Sequence, residues 1–282
     1  MFTEENKNLL IEALSYIKRF NGKIVVIKYG GAAMIDEKLK HSFAQDIVLL
    51  QSLGMLPVIV HGGGPEVSKA MERFGQEVSF IDGLRVTSSE NLKVAEMVLS
   101  GTINKEIITH LNTFGGKAVG VSGKDGLLIR ARKKRHKGGV DLGYVGEIES
   151  VNPELLLVLL KQGFLPVVSP IGLGKDGITY NINADTTASR IAVSLEAYKI
   201  IFMTDVDGVI ENGKLRGQLS SSETEDMIKQ NVISGGMAPK IDAALYCIKN
   251  GIESAQIING TDPHSVIAEL FTDQGIGTKI VL

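Results

Sequence analysis

The chain has 282 residues, of which 44% are hydrophobic and 22% are charged. This length allows one large domain or two lobes, and the apolar fraction suits a folded core rather than a disordered chain. The 30 basic and 32 acidic residues leave a formal net charge of −2, which argues against nucleic acid or an anionic membrane as a partner. The single cysteine, Cys247, excludes an internal disulfide and a zinc site built from cysteines.

The beginning of the chain predicts neither export nor membrane insertion. The first residues, MFTEENKNLL, are acidic and lack the basic-then-apolar pattern of a signal peptide. No apolar run approaches the roughly 20 residues that a membrane-spanning helix needs. We therefore expect a cytoplasmic protein.

Short β-branched runs alternate with longer helical patterns along most of the chain. The predicted strands are nearly all apolar, as in parallel strands covered on both faces, and they lie at residues 23–28, 56–60, 117–121, 165–169, 199–203 and 255–258. Helical periodicity and capping residues predict helices at residues 36–52, 66–74, 89–112, 153–162, 184–195, 237–250 and 263–271. This alternation predicts an α/β fold, with an open, mainly parallel sheet sandwiched between helices and two lobes that share it.

The segment 127–149 differs from the rest of the chain. Its alternating halves, LLIRARKKR and YVGEIES, are joined by a Gly-Gly loop at Gly138, which predicts an antiparallel hairpin laid over the edge of the sheet. The basic run at residues 130–137 is either a solvated hairpin face or a phosphate or RNA site, and the lack of interleaved aromatic residues favours the first. The glycine pattern at residues 172–177 matches a dinucleotide fingerprint, but it leads into the strand-like run ITYNI, whereas that fingerprint has to open a helix.

Glycine clusters follow the first two predicted strands, where an open α/β sheet binds its ligands. Gly30 and Gly31 come directly after Lys28 and Tyr29, and residues 62–64 come after His61. A lysine that closes a buried strand is costly unless it meets an anion, and glycine N–H groups approach a ligand without a side chain in the way. His61 is either a general base or a residue that orients the loop, and its position beside three glycines favours the second.

Further segments complete a candidate site for phosphoryl transfer. Gly235 and Gly236 form a turn into a helix that carries Lys240 in its first turn. Arg85 is suited to clamp a substrate carboxylate, with a surface salt bridge as the alternative. Residues 181–185 supply two amides and a carboxylate at a helix start, where N-capping is a second possible role. Glycine loops combined with two lysines predict a phosphoryl-transfer site without a P-loop.

The segments described above belong to six short motifs, which occur along the chain in the order KYGG, VHGGGP, DGLRVT, NINAD, MTDVDGV and GGMAPK. In this order they resemble the amino-acid kinase family over nearly the whole chain from residue 23 onward. The combination of GLRVT with NINAD is similar to the members that phosphorylate N-acetyl-L-glutamate. The resemblance implies ATP-dependent phosphorylation of the side-chain carboxylate of N-acetyl-L-glutamate, the second step of arginine biosynthesis. It also implies that Mg²⁺ enters with ATP and that the protein holds no tightly bound metal. A related carboxylate kinase, such as glutamate 5-kinase, and a non-catalytic sensor of arginine or acetylglutamate remain alternatives.

The resemblance also implies roles for residues by their position. The implied catalytic residues, two stabilising lysines and the carboxylate that positions them, are Lys28, Lys240 and Asp185. The implied substrate-binding residues are Gly63, Gly64, Arg85, Asn181 and Asn183. The implied nucleotide-binding residues are Gly30, Gly31, Thr204, Asp205, Val206, Gly208, Gly235 and Gly236.

Both ends of the chain resemble the arginine-inhibited members of this family. An apolar stripe on a predicted first helix consists of Leu9, Leu10, Ala13, Leu14 and Ile17. That stripe either packs on its own subunit or interlocks dimers into a hexamer, a trimer of dimers. The tail at residues 264–277 resembles an arginine-binding end, and the implied contacts of L-arginine as inhibitor are Lys199, Glu269 and Gly277.

These expectations define an organisation for the chain. Residues 1–22 form an N-terminal helix for oligomerisation and regulation. Residues 23–182 form a lobe that binds acetylglutamate, and residues 183–282 form a lobe that binds ATP and arginine.

Overall fold

A computed structural model describes residues 3–4, 11, 14–15, 18–136, 138–272 and 275–282. In chain order its strands are β1 Ile24–Tyr29, β2 Leu56–His61, β3 Phe80–Ile81, β4 Leu84–Arg85, β5 Ala118–Ser122, β6 Ile129–Lys133, β7 Gly146–Val151, β8 Leu165–Ser169, β9 Ile171–Leu173, β10 Thr179–Asn181, β11 Lys199–Thr204, β12 Ile210–Glu211, β13 Lys214–Leu215, β14 Gln218–Ser220, β15 Ser254–Asn259 and β16 Thr278–Val281. Its α-helices are α1 Glu37–Ser52, α2 Gly64–Arg73, α3 Ser89–Glu96, α4 Asn104–Thr113, α5 Glu154–Lys161, α6 Ala184–Ser194, α7 Ser221–Lys229, α8 Ala238–Lys249 and α9 Ser265–Leu270.

An eight-stranded sheet forms the centre of the molecule, in the order β14-β16-β15-β11-β1-β2-β8-β5. The strands from β15 to β5 are parallel, whereas β16 runs antiparallel to β15 and β14 runs parallel to β16. The predicted open, mainly parallel sheet between helices is confirmed, as are all six predicted strands. The antiparallel edge formed by β14 and β16 was not predicted.

Helices cover both faces of this sheet, which explains why its strands are apolar without alternation. Along β1, Val26 belongs to one buried cluster, together with side chains of α6 and α8. Val25 and Ile27 belong to the other cluster, together with side chains of α1 and α4. Successive side chains of a strand point to opposite faces, so each face of β1 needs its own apolar partners.

The predicted hairpin is confirmed, but its place in the fold differs from the expectation. Strands β6 and β7 pair antiparallel and form a four-stranded sheet with β9 and β10. Buried Ile129 and Ile148 belong to the same hydrophobic cluster as Val60 and Val168 of the central sheet. The hairpin therefore packs on a face of the sheet rather than over its edge, because its inward-facing apolar residues need an apolar surface to cover.

Most helices follow the sequence closely. The carboxylate of Asp36 accepts hydrogen bonds from the N–H groups of Lys38 and Leu39 and caps α1 as predicted. The long helix predicted at residues 89–112 contains a π-helical segment, Met97–Ile103, between α3 and α4. Helix α7 was not predicted, although Ser220 and Glu223 form a capping box at its start that is recognisable in sequence.

The predicted N-terminal helix lies mostly outside the described residues. This applies to Leu9, Leu10, Ala13 and Ile17, while Leu14 is described and exposed. Within the described part of the chain, no helix has the length and apolar character needed to cross a membrane.

Candidate active site

A cleft of about 240 Å³ opens at the carboxyl ends of β1 and β2. Its walls come from segments that lie far apart in the sequence, including the glycine loops, the β4 strand and the start of α6. The predicted site residues that line it are Lys28, Gly30, Gly31, Gly63, Gly64, Arg85, Asn181, Asn183 and Asp185. The structure thus brings together all the predicted substrate-binding residues and two of the three predicted catalytic ones.

The third predicted catalytic residue, Lys240, does not line the cleft but contacts Asp185, which does. Its Nζ donates to Asp185 Oδ2 at 3.1 Å, while Lys28 Nζ makes an ion-pair contact of 3.2 Å with Oδ1. Burial alone would raise the pKa of Asp185, but the charges of the two lysines outweigh burial and hold it below its ordinary value. The carboxylate stays ionised between two ammonium groups, so the cluster carries one excess positive charge.

The glycine loop after β2 is shaped by close packing. Gly63 has a φ of +148°, a region that L side chains rarely adopt. A Cβ atom there would also collide with Ile103 and Leu99 of the π-helical segment. The positive φ, together with the side chains of the π-helical segment that the sequence did not reveal, favours a glycine where the backbone faces the cleft.

Arg85 is a buried cation whose described contacts include no acidic group. Its side chain donates to the carbonyl oxygen of Gly64 at 2.8 Å and to Ser68 Oγ at 2.9 Å, and the Phe80 ring centroid lies 4.6 Å from its guanidinium carbon. Burial lowers the pKa of Arg85, and within the described residues no carboxylate forms an ion pair with it. The predicted alternative, a surface salt bridge, is wrong. Phe80 and Ser68 were not predicted, since nothing in the sequence indicates that they lie beside Arg85.

The two asparagines of NINAD differ in their contacts. Asn183 caps α6, because its Oδ1 accepts the N–H of Thr186 at 2.9 Å, and it also lines the cleft. Asn181 Nδ2 lies 3.4 Å from Thr87 Oγ1. The N-capping role therefore belongs to Asn183, and Asp185 is left for the lysines.

His61 is fully buried beneath the loop. Burial lowers its pKa to about 4, so the imidazole is neutral near pH 7. Its Nδ1 lies 2.8 Å from the carbonyl oxygen of Gly62 and its Nε2 lies 3.3 Å from Asn104 Nδ2. Since the carbonyl can only accept, these contacts assign the proton to Nδ1. His61 orients the loop, as the sequence favoured.

The predicted nucleotide-binding residues divide into two groups. Gly30 and Gly31 line the cleft, whereas the rest do not: Thr204, Asp205, Val206, Gly208, Gly235 and Gly236. Residues 204–208 begin at the last residue of β11, which is the neighbour of β1. The carboxylate of Asp205 accepts the N–H of Ala32 at 2.6 Å and so links this segment to the glycine turn after β1.

A second cavity, of about 400 Å³, lies at the opposite end of β11. Lys199 and Glu269, both buried, line it and form an ion pair of 3.2 Å. Arg19 and Glu253 also line it, and both hydrogen-bond to the hydroxyl of Tyr198. Gly277 does not line this cavity, and a Cβ atom there would collide with the carbonyl oxygen of Ile257. Sequence reasoning missed Arg19, Tyr198 and Glu253, which belong to no motif.

Part of the basic run on the hairpin pairs with carboxylates. Arg132 pairs with Glu147 at 3.1 Å and Lys133 pairs with Asp141 at 2.7 Å. These side chains are about half exposed. Their contacts favour the interpretation of the basic run as a solvated hairpin face and not as a phosphate or RNA site.

Comparison with known proteins gives consistent results. Residues 23–259 match the family model described as the amino acid kinase family. The acetylglutamate kinase of Methanocaldococcus jannaschii is 52% identical over 288 residues, covering 98% of this chain and 96% of that protein. The acetylglutamate kinase of Archaeoglobus fulgidus is 52% identical over 287 residues, covering 98% of this chain and 99% of that protein.

Solved structures show the same fold. An N-acetylglutamate synthase from Neisseria gonorrhoeae, complexed with coenzyme A and N-acetyl-glutamate, matches with a TM-score of 0.88 and 27% identity. The match covers 98% of this chain but only 63% of the synthase chain. Carbamate kinase from Giardia lamblia, bound to AMP-PNP, matches with a TM-score of 0.67 and 16% identity, over 92% of this chain and 98% of that chain, and it shows the fold alone.

The class of protein follows from the fold, the cleft and these matches: the chain is a phosphotransferase without a P-loop. The chain belongs to the amino acid kinase family. The resemblance inferred from the ordered motifs is thereby confirmed.

Proposed function

We propose that this chain transfers the γ-phosphoryl group of ATP to the side-chain carboxylate of N-acetyl-L-glutamate, which gives N-acetyl-L-glutamyl 5-phosphate in arginine biosynthesis. The observation that carries this proposal is the buried guanidinium of Arg85, which no described carboxylate pairs with, in the same cleft as Lys28 and Asp185. A substrate with two carboxylates fits such a cleft, because one can pair with Arg85 while the other meets the lysine cluster. Relatives about half identical over almost the whole chain are acetylglutamate kinases.

The chemistry needs no general base. A carboxylate with an ordinary pKa near 4 is already ionised at pH 7 and is itself the nucleophile, and His61 is neutral and buried. Catalysis then consists of aligning the two substrates and stabilising the charge that develops on the transferred group. Lys28 and Lys240 supply that stabilisation, Asp185 positions both ammonium groups, and backbone N–H groups of the glycine loops hold the phosphoryl oxygens.

Mg²⁺ enters with ATP as part of that substrate. Among the described residues, the carboxylates that line the cleft are those of Asp185 and Glu66, and Asp185 is already held by two lysines. A protein cage for Mg²⁺ would need further oxygen ligands, so we assign most of its coordination to phosphate oxygens and water. We place the nucleotide beside residues 204–208 and the turn at Gly235 and Gly236, next to Lys240.

We also propose that L-arginine inhibits the enzyme from the second cavity. The acidic side chains of Glu253 and Glu269 suit the cationic groups of arginine, and Lys199 suits its carboxylate. The N-acetylglutamate synthase of Neisseria gonorrhoeae has been solved in complex with L-arginine, which supports arginine binding by this fold. Inhibition requires two states with different arginine affinities, and we assign these states to a hexamer, a trimer of dimers.

A substrate panel tests the proposed reaction. The protein is incubated with MgATP and hydroxylamine, which traps an acyl phosphate as a hydroxamate, and with N-acetyl-L-glutamate, L-glutamate or L-aspartate. We expect hydroxamate with N-acetyl-L-glutamate alone. A stronger signal with glutamate would favour the glutamate 5-kinase alternative, and no signal with any acceptor would favour the non-catalytic sensor.

A truncation tests the proposed control. Removing residues 1–17 keeps Arg19 and Phe20, which line the second cavity. We expect the truncated protein to be an active dimer that arginine inhibits more weakly than the full chain. Light scattering and an arginine titration of both proteins measure this, and a truncated protein that is still hexameric and equally inhibited would contradict the assignment.

A further inference from the structure

Helices α1 and α4 present the same short pattern to each other. Glu37 and His41 lie four residues apart on α1, and Glu106 and His110 lie four residues apart on α4. Residues at this spacing share one face of a helix. Lys40 connects the two patterns, because its Nζ contacts Oε1 of Glu37 at 2.8 Å and Oε1 of Glu106 at 2.5 Å.

The other oxygen of Glu37 faces a pair of imidazoles. Glu37 Oε2 lies 4.0 Å from His110 Nε2, and the ring centroids of His41 and His110 are 5.4 Å apart. One potential ligand atom from each of these three residues lies within 4.8 Å of the others. In the part of the chain that the structure describes, neither imidazole has a hydrogen-bond partner that would occupy its nitrogens.

We propose that Glu37, His41 and His110 form a binding site for a transition-metal ion of the Zn²⁺ class. Two imidazole nitrogens and one carboxylate oxygen are a donor set that suits Zn²⁺, with water as a fourth ligand, whereas Mg²⁺ and Ca²⁺ prefer oxygen donors alone. Tetrahedral Zn²⁺ with bonds near 2.1 Å needs ligand atoms about 3.4 Å apart. The three ligand atoms now lie within 4.8 Å of one another. Rotation of the exposed side chains of Glu37 and His41 can bring them to the shorter separation.

An ion at this position would join two elements next to the active site. Helix α1 follows the glycine turn after β1, and α4 follows the π-helical segment that packs against Gly63. The site is separate from the cleft and does not depend on the proposed reaction. The Lys40 ammonium competes with the ion for Glu37, so its removal is expected to strengthen binding.

Calorimetric titration of the untagged full chain with ZnCl₂, without nucleotide, tests this proposal. We expect one Zn²⁺ per chain and an affinity that falls by roughly ten-fold or more in His41→Asn and in His110→Asn. The matched controls are His136→Asn, whose histidine contacts Asp82, and His264→Asn, whose histidine contacts Asp46 further along α1. These controls are expected to bind as the wild-type chain does, and Lys40→Met is expected to bind more tightly.

Co²⁺ provides a second readout, because its visible absorption reports ligands bound directly to the metal. We expect a Co²⁺ spectrum in the wild-type chain that both site variants lose while circular dichroism stays unchanged. The proposal is overturned if the wild-type chain binds no Zn²⁺, if binding survives in His41→Asn and His110→Asn, or if a control variant abolishes it. An unchanged affinity in Lys40→Met would place the ion away from Glu37 and would equally overturn the site.

Discussion

Two buried clusters of lysine and carboxylate lie at opposite ends of neighbouring strands. Lys28 lies near the carboxyl end of β1, and Lys199 begins β11, which runs parallel beside it. In the first cluster two lysines contact one carboxylate, that of Asp185. In the second cluster Lys199 pairs with Glu269 one to one. The same residue types therefore make one site with excess positive charge and one that is neutral as a pair.

The pKa directions follow that difference. Two nearby ammonium groups overcome the effect of burial and lower the pKa of Asp185. In the other cluster burial outweighs a single partner, so the pKa of Glu269 is raised and that of Lys199 is lowered. The ratio of lysines to carboxylates, rather than burial alone, decides whether a site suits an anionic phosphoryl group or a zwitterion that can replace both partners.

Removal of one lysine from the first cluster is expected to have the largest effect. Lys240→Met leaves one ammonium for one carboxylate and removes a donor near the developing charge, so kcat should fall by roughly 10²–10³. Lys249→Met is the matched control, because Lys249 lies on the same helix and pairs with Glu225 at the surface. Steady-state rates of both variants decide this. Near-normal turnover in Lys240→Met would contradict the claim that the excess positive charge of this cluster stabilises the transferred phosphoryl group.

Changing the second cluster is expected to affect arginine and not turnover. Glu269→Gln removes the negative charge that pairs with Lys199 and leaves one amide oxygen in place of the two carboxylate oxygens that accept from Lys199 Nζ and the Ile276 N–H. The arginine concentration for half inhibition should rise by about ten-fold or more, because a charge-assisted contact contributes roughly 1.5–3 kcal/mol. Rates measured with and without arginine test this prediction, and a fall in kcat with unchanged inhibition would be the opposite outcome.

The smallest expected effect concerns the free energy of unfolding as a function of pH. The contributions of Asp185 and Glu269 should change with pH in opposite directions. The pKa of Asp185 lies below its ordinary 3.8, so its stabilisation is present above that value and is lost as pH falls through the folded pKa. The pKa of Glu269 lies above its ordinary 4.5, so the stability that this group contributes decreases as pH rises from 4.5 through the folded pKa.

Urea unfolding of the wild-type chain, Asp185→Asn and Glu269→Gln between about pH 3 and pH 7 measures both trends. With rising pH, the wild-type chain should gain free energy of unfolding relative to Asp185→Asn. It should lose free energy of unfolding relative to Glu269→Gln. Trends of the same sign would contradict the contrast between the two clusters.

The sequence predicted those features that local pattern determines. Strands buried on both faces produce continuous apolar runs, and the Asp36 cap and the hairpin at residues 127–149 have local signatures. The half-buried edge strands β14 and β16 are short and lack such runs, so they were missed. The π-helical segment and the face on which the hairpin packs depend on tertiary contacts that no local pattern encodes.

The candidate site shows the same limit. Ordered motifs indicated Lys28, Arg85 and Asp185, because glycine turns and helix starts are visible in a sequence. That Arg85 lies over Phe80 and lacks a described carboxylate partner depends on how distant segments pack, and it is visible only in the structure. The resemblance implied Lys199 and Glu269 as contacts of arginine, but their ion pair with each other was not predicted.

The proposed reaction depends most on Arg85 binding one carboxylate of the acceptor while the lysine cluster receives the other. The direct test is the pair of KM values, for N-acetyl-L-glutamate and for MgATP, in the wild-type chain and in Arg85→Ala. Loss of a charge-assisted contact worth about 1.5–3 kcal/mol should raise the KM for N-acetyl-L-glutamate by roughly ten-fold or more and leave that for MgATP nearly unchanged. A rise in the KM for MgATP instead would place Arg85 on the phosphate side and contradict the account.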